Sequence, residues 1–498
     1  MTNRRNFLAG VASSGWTALI GLLAVPWYIH YLGIEAYGMI GVYLTLQGIF
    51  LLLDLGLSPT VSREVARSMV SGTMPHARAL INSMSLLFLL SGGVMAAGLA
   101  GLAPWLASKW LNAGSLPLDQ VVISLALSAM TIGARWPATL YVGVLNGARR
   151  VDLVSGVTIA STTLANVGAV AVLAFVEPSL RAFFLWHALI GAFHSIAMRV
   201  AARHVVGGWS GTGFDWVVVK SIWRFSAGMA AVAATGILFS QIDKVVLMRT
   251  TTLDQIGHYT IATALASILY RLVTPAFNVV YPQLSGIFET GSTADLSRQY
   301  HDSTRRFLTI IFPAAMILIV CARPILSIWI SDENIVDQTS TIVIFLSLGT
   351  AVHCAMYFPY ALQIACGMTF VPLLTNIILS VIFIPAVFVL SSWMGAIGAS
   401  IAWVILHFFY FILGTYLTDR YVLPGQGWPW VLHGVAPPLV ISTGFGFAAA
   451  FVMPVIGSDV SRLFFGSICA MGALVIGGLM LPEGHAVLKR VTSGMTRR

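Results

Sequence analysis

The sequence predicts an all-α polytopic membrane protein with about fourteen transmembrane helices, and three observations lead there. Of the 498 residues, 58% are hydrophobic and only 9% are charged, whereas a soluble domain carries roughly 25% charged residues. Such a chain cannot clothe itself in polar groups, so lipid must be the solvent for much of its surface. Apolar runs of the roughly 20 residues needed to cross a bilayer recur from one end to the other. Lysine and arginine, finally, gather in every second connection between those runs.

The elements follow in order. The first run covers 8–30, behind Thr2-Asn3-Arg4-Arg5-Asn6-Phe7-Leu8, which looks like a twin-arginine export signal. No small-residue cleavage site ends the run, so Arg4 and Arg5 read as the cytoplasmic anchor of an uncleaved helix. Runs 37–58, 79–103, 120–146, 152–176 and 180–201 complete a first group of six. Runs 222–248, 256–284, 307–330, 338–366, 370–390 and 394–417 make a second six, and 431–452 and 460–481 follow. The expected organisation is two six-helix lobes, 1–205 and 206–420, around a central cavity. Residues 421–498 then add two appended spans and a tail. Leu32-Gly33-Ile34-Glu35-Ala36-Tyr37-Gly38 and Leu253-Asp254-Gln255-Ile256-Gly257-His258-Tyr259 stand in similar settings before the second and eighth spans. They form a faint internal repeat, and parallel repeats are a common transporter plan.

Charge sets the expected orientation. With the N-terminus inside, the inner segments hold 19 of the 27 Lys and Arg residues and the outer ones five, while the acids divide eight to eight. The positive-inside rule concerns Lys and Arg rather than net charge, so both termini are expected in the cytoplasm and the span count is expected to be even. The net charge of +9 is dispersed in short clusters without interleaved aromatics, which is not a nucleic-acid footprint. The glycine-rich stretch 207–213 lacks the GK[ST] ending of a phosphate loop and reads as a linker. Cys321, Cys354, Cys366 and Cys469 lie in apolar runs without metal-ligand spacing and read as packing residues. No disulfide, metal or cofactor is expected.

Five charges remain inside spans: Arg135, Lys244, Arg271, Asp54 and Asp243. Each costs about 2.5–3.5 kcal/mol at a helix centre on insertion scales, so each must pair, face the bundle or line a wet cavity. Arg135 in span four and Arg271 in span eight lie near mid-span, close to Pro137 and Pro275. A proline frees carbonyls and bends a helix, which suits a cavity wall. The two arginines either bind an anion or brace the bundle. Asp243 and Lys244 are adjacent, so they project about 100° apart. Asp243 with Gln241, and Asp54 near the inner end of span two, serve ion coupling or bracing, and Lys244 can snorkel. His187 and His194, seven apart on one helix face, suit a proton relay or plain packing. Aromatics such as Trp16, Trp27, Tyr28, Trp136, Tyr141 and Tyr270 could stack on sugars, though interface and packing roles explain most tryptophans.

These residues resemble a known family. Leu32 to Arg67, LGIEAYGMIGVYLTLQGIFLLLDLGLSPTVSREVAR, resembles the first helical hairpin of the O-antigen-type polysaccharide-biosynthesis flippases. Ser240-Gln241-Ile242-Asp243-Lys244 and Tyr281-Pro282-Gln283-Leu284-Ser285 resemble the family's motifs in spans seven and eight. The resemblance covers about the first twelve spans. It implies membership of the multidrug/oligosaccharidyl-lipid/polysaccharide exporter superfamily, alternating access, and transport of an undecaprenyl-pyrophosphate-linked glycan from the inner to the outer leaflet of a bacterial inner membrane. Arg271 matches a place where related flippases carry a cavity cation. Relatives that flip the peptidoglycan precursor carry an arginine in span one. This chain has none between Phe7 and His30, which counts against lipid II as cargo.

The expected partners are therefore the polyprenyl-pyrophosphate-linked glycan, membrane lipid, and the glycan polymerase and glycosyltransferases of the same pathway. Two other functions compete. A multidrug cation exporter should have an acidic cavity free of arginine. An integral-membrane glycan polymerase or ligase needs a substantial outer loop with acid or base groups, and the only outer acidic cluster is Asp332, Glu333 and Asp337.

Overall fold

The computed structural model describes residues 2–54, 56–208, 214–216, 219–220 and 240–481. The chain divides into two units, 1–257 and 258–498. Regular structure among the described residues is helical, apart from one bridge between Asn112 and Thr252.

The first unit opens with α1 (Thr2–Leu32) and α2 (Ile34–Phe50). A 3-10 turn, Leu51–Asp54, ends α2, and the chain turns through Gly56 at φ 70°, a left-handed conformation that glycine adopts freely. The run expected over 37–58 is thus cut short. Its last residues belong to a separate helix, α3 (Leu57–Ser71), which buries Val61, Val65 and Ser68 and exposes Arg63 and Arg67. This amphipathic pattern suits a helix lying along an interface rather than crossing it. Next come α4 (Met74–Trp105), α5 (Leu118–Arg135), α6 (Pro137–Gly147), α7 (Val151–Phe175), α8 (Leu180–Val206) and α9 (240–250). Gly143 and Gly147 of α6 lie one turn apart against the carbonyls of Ser58 and Ser62. A Cβ at Gly143 would sit 2.6 Å from the Ser58 oxygen. Small residues four apart let membrane helices approach this closely.

Helix α10 (Leu253–Ala266) leads into the second unit. That unit holds α11 (Ile268–Glu289), α12 (Thr293–Val320), α13 (Ala322–Trp329), α14 (Glu333–Ala365), α15 (Phe370–Tyr421), the short α16 (Gly427–Trp430), α17 (Ala436–Val452) and α18 (Asp459–Leu479). At 52 residues α15 would be about 78 Å long if straight, far more than a bilayer. It is two helices broken at Gly395, whose φ of 59° and ψ of −137° lie where only glycine is comfortable. Beyond the break Gly398 packs against the carbonyl of Leu390, so the chain has turned back on itself. The closely spaced runs 370–390 and 394–417 are the two arms.

Among the described residues, 12 helices are long and apolar enough to cross a membrane, α15 counted once. Its two arms make thirteen, and the expected seventh span, 222–248, lies outside the described residues except for its last turns. The fourteen-span ladder is consistent with this fold.

The two segments of the expected repeat pack against one another. Gly38 of α2 lies against the carbonyl of Leu253, and Gly257 of α10 lies 2.5 Å, measured from its ideal Cβ, from the carbonyl of Ile34. The contact is reciprocal, Gly38 against Leu253 and Gly257 against Ile34, and it sets Gly38 beside Gly257, 219 positions on. This register differs from the one that aligns Leu32 with Leu253. Asn112 ties into the same seam by accepting the Leu253 N–H at 3.1 Å. The Glu35 carboxylate accepts the Ser115 N–H at 2.8 Å and the Ser115 hydroxyl.

Candidate functional site

Arg135 is the last residue of α5, and Trp136 separates it from Pro137, the first residue of α6. Pro137 has no N–H to offer the Gly133 carbonyl, so the helix breaks here. The neighbouring elements hold the break. Ser195 of α8 donates its hydroxyl to the Ala134 carbonyl at 2.7 Å, and Trp136 donates its indole N–H to Ser91 at 3.0 Å while stacking on Phe88. The Arg135 side chain stays exposed and, among the described residues, makes no hydrogen bond or ion pair. His187 and His194 lie on α8, the helix whose Ser195 ties the break. Both histidines are packed into the fold. His187 Nδ1 lies 3.0 Å from the Phe183 carbonyl with the Phe183 ring stacked on it, and His194 Nδ1 lies 2.6 Å from the Ser161 hydroxyl.

Arg271 lies in the second unit, in the first turn of α11, and is also exposed. Helix α10 gives way to α11 at Ser267, and Pro275, which has no N–H to donate, stands one turn after Arg271. The exposed face of α11 then carries Arg271, Thr274 and Asn278, three to four residues apart. A polar stripe inside a span does not belong against lipid. Beside it, Tyr270 lies with its hydroxyl 2.7 Å from Nδ1 of His353 on α14.

The remaining charges have local partners. Asp54 accepts the Ser58 hydroxyl at 2.6 Å and the Ser58 N–H at 3.3 Å, which caps the first turn of α3. Asp243 and Lys244 do project apart, yet the lysine stem curls back. Its ammonium lies 3.4 Å from Asp243 and donates to the Ser240 carbonyl at 3.0 Å. Gln241 packs against Gly48 of α2, 3.0 Å from the ideal Cβ position. The outer acids are also occupied: Asp332 caps α14 through the Asn334 and Ile335 N–H groups, while Glu333 and Asp337 grip Arg323 at 2.8 and 3.0 Å. Among the described residues no group of three His, Cys, Asp or Glu side chains is placed to hold a metal, and the four cysteines are buried as free thiols.

The sequence did not point to Ser195 or Ser91, because nothing local distinguishes a serine that ties a broken helix from one that bonds its own turn. It did not point to Phe277, Tyr357 or Tyr360 either. Their spacing along α11 and α14 was a readable signal, but an aromatic at helical spacing is usually packing.

Long apolar helices broken at proline and glycine, with arginines left exposed inside two of them, define a polytopic membrane protein of transporter type. Residues 4–288, more than half of the chain, match the family described as polysaccharide biosynthesis protein, and the chain belongs to that family. A protein of Shigella flexneri described as a candidate O-antigen transporter is 22% identical over 402 residues, covering 78% of this chain and 91% of that protein. Among solved structures, the lipid II flippase MurJ in an inward closed conformation matches with a TM-score of 0.68 at 13% identity, over 95% of this chain and 98% of that one. An inward-facing multidrug resistance MATE transporter of the MOP superfamily matches with a TM-score of 0.69 at 13% identity, over 81% and 94%. At such identity the structures share a fold, and that fold is the one expected from the motifs.

Proposed function

We propose that this chain is a flippase, not an enzyme. It moves an undecaprenyl-pyrophosphate-linked oligosaccharide from the inner to the outer leaflet of the bacterial inner membrane by alternating access, for surface polysaccharide synthesis such as O-antigen, capsule or exopolysaccharide. Both termini lie in the cytoplasm, and the working lobes are 1–205 and 206–420, with 421–498 appended.

The observation that carries this reading is Arg135, exposed at a proline break inside a span and unpaired among the described residues. A guanidinium held in the membrane without a carboxylate is a receptor for an anion. Its planar fork matches the oxygens of a pyrophosphate better than the point charge of lysine does. Arg271 is a second exposed cation within a span. Family membership and the candidate O-antigen transporter from Shigella flexneri support a glycan as cargo. Moving a doubly negative head group outward through 100 mV releases roughly 4–5 kcal/mol, so the membrane potential can drive the step. An exposed arginine repels organic cations, which weighs against a multidrug exporter. The occupied outer acids weigh against a polymerase or ligase.

The test replaces Arg135 and Arg271, singly and together, by Ala and by Lys in a strain lacking the wild-type gene, and follows membrane insertion and surface glycan. Charged hydrogen bonds contribute about 1.5–3 kcal/mol each, so Arg135→Ala should insert normally and lower glycan export tenfold or more, with Lys restoring only part. Normal surface glycan from a well-inserted Arg135→Ala/Arg271→Ala chain would sink the proposal.

A further inference from the structure

Six rings of the second unit meet along α11 and α14. Phe277 stacks on Tyr281 with centroids 5.8 Å apart and planes 2° from parallel, and on Tyr360 at 5.6 Å and 23°. Tyr357 meets Phe277 edge to face at 6.2 Å and lies 6.2 Å from Tyr270. Tyr270 in turn shares its hydroxyl with His353. On α11 these rings fall at 270, 277 and 281, and on α14 at 353, 357 and 360, so each helix presents them on one face.

All six are partly exposed. A purely structural aromatic cluster in a membrane helix pair is expected to bury its rings and to find partners for its hydroxyls. Here, among the described residues, the hydroxyls of Tyr281, Tyr357 and Tyr360 and the amide of the exposed Asn278 make no hydrogen bond. The polar stripe of Arg271, Thr274 and Asn278 runs alongside. Phe277 lies about 9 Å beyond Arg271 along the helix axis, close to the length of one or two sugar rings.

We infer that this aromatic face is the saccharide-binding platform of the transporter. The apolar C–H face of a pyranose stacks on the Phe277, Tyr281 and Tyr360 rings. Its hydroxyls meet the tyrosine hydroxyls and Asn278, while Arg271 takes the phosphate end. A lipophilic cation could also stack on such rings, but the adjacent Arg271 opposes it. The inference rests on the flippase reading above and goes further, since it separates recognition of the sugar from recognition of the pyrophosphate.

The experiment measures binding by the full chain in lipid nanodiscs of two probes, bare undecaprenyl pyrophosphate and the same lipid carrying one N-acetylhexosamine, with tetraphenylphosphonium as a cationic control. Phe277→Leu and Tyr360→Leu remove a ring face while keeping bulk, and wild-type-like thermal unfolding shows that each is folded. The expected result is about tenfold weaker binding of the sugar-bearing lipid in each variant, with the bare lipid unchanged within twofold. Equal loss for both lipids, or no loss for either, overturns the platform and leaves the flippase reading standing. Tetraphenylphosphonium binding that disappears in Phe277→Leu overturns it in favour of a cation cage. A wild-type chain that binds neither lipid overturns both readings.

Discussion

A single methyl group at Gly38 probes the seam between α2 and the start of α10. An ideal Cβ there would lie 2.8 Å from the Leu253 carbonyl carbon and closer still to its oxygen. At Gly257 it would lie 2.5 Å from the Ile34 oxygen and 2.9 Å from Ile34 Cδ1. Carbon–oxygen contacts between packed backbones run about 3.3–3.6 Å, so α2 and α10 must part by roughly 1 Å to admit either methyl. Overpacking of this kind costs about 1–3 kcal/mol. Exchanging glycine for alanine inside a helix returns about 0.5–1 kcal/mol. The net expectation for Gly38→Ala or Gly257→Ala is a loss of up to about 2.5 kcal/mol.

The same change at Gly98 of α4, where nothing lies within 4 Å of the ideal Cβ, carries only the helix term and should stabilise. One separation of the helices relieves both collisions, so Gly38→Ala/Gly257→Ala should cost less than the two single losses together. The assay is reversible unfolding of the purified chain in mild detergent by stepwise addition of SDS. If Gly38→Ala proves as stable as Gly98→Ala, the seam is not held at backbone contact.

Two further substitutions test local features by similar means. Gly395→Ala forces a side chain into the conformation that breaks α15 and should cost about 1–3 kcal/mol, measured in the same unfolding assay; an unchanged midpoint would mean the hairpin does not need glycine. Asp54→Ala removes both bonds to Ser58 and should loosen α3 by about 0.5–2 kcal/mol. Amide exchange should then rise across 57–71 and nowhere else, and uniform exchange along the chain would rule the cap out.

Much of the fold was readable because the bilayer simplifies the problem. A span is recognised by the summed transfer energy of neighbouring residues, and that sum needs no knowledge of what the helix packs against. The runs 370–390 and 394–417, the two arms of α15, could therefore be separated by sequence alone. Where elements end was less readable. The run 37–58 stayed apolar past the point where Gly56 and the Asp54 cap turned the chain, because hydropathy does not register a left-handed glycine.

The site was legible only as a short list. Arg135, Arg271, Asp54, Asp243 and Lys244 stood out because a charge among apolar residues is costly, and that cost identifies the residue without naming its partner. Tertiary structure decided the rest. It set Asp54 against Ser58 and Lys244 against Asp243, and it left Arg135 exposed at a break tied by Ser195, 60 positions away in the chain. It also brought the rings of α11 and α14 face to face across some 80 residues. Solvent and span order are properties of neighbours in sequence, and so the sequence determined them. Which polar group remains open to a ligand depends on neighbours in space, and only the packed helices could decide it.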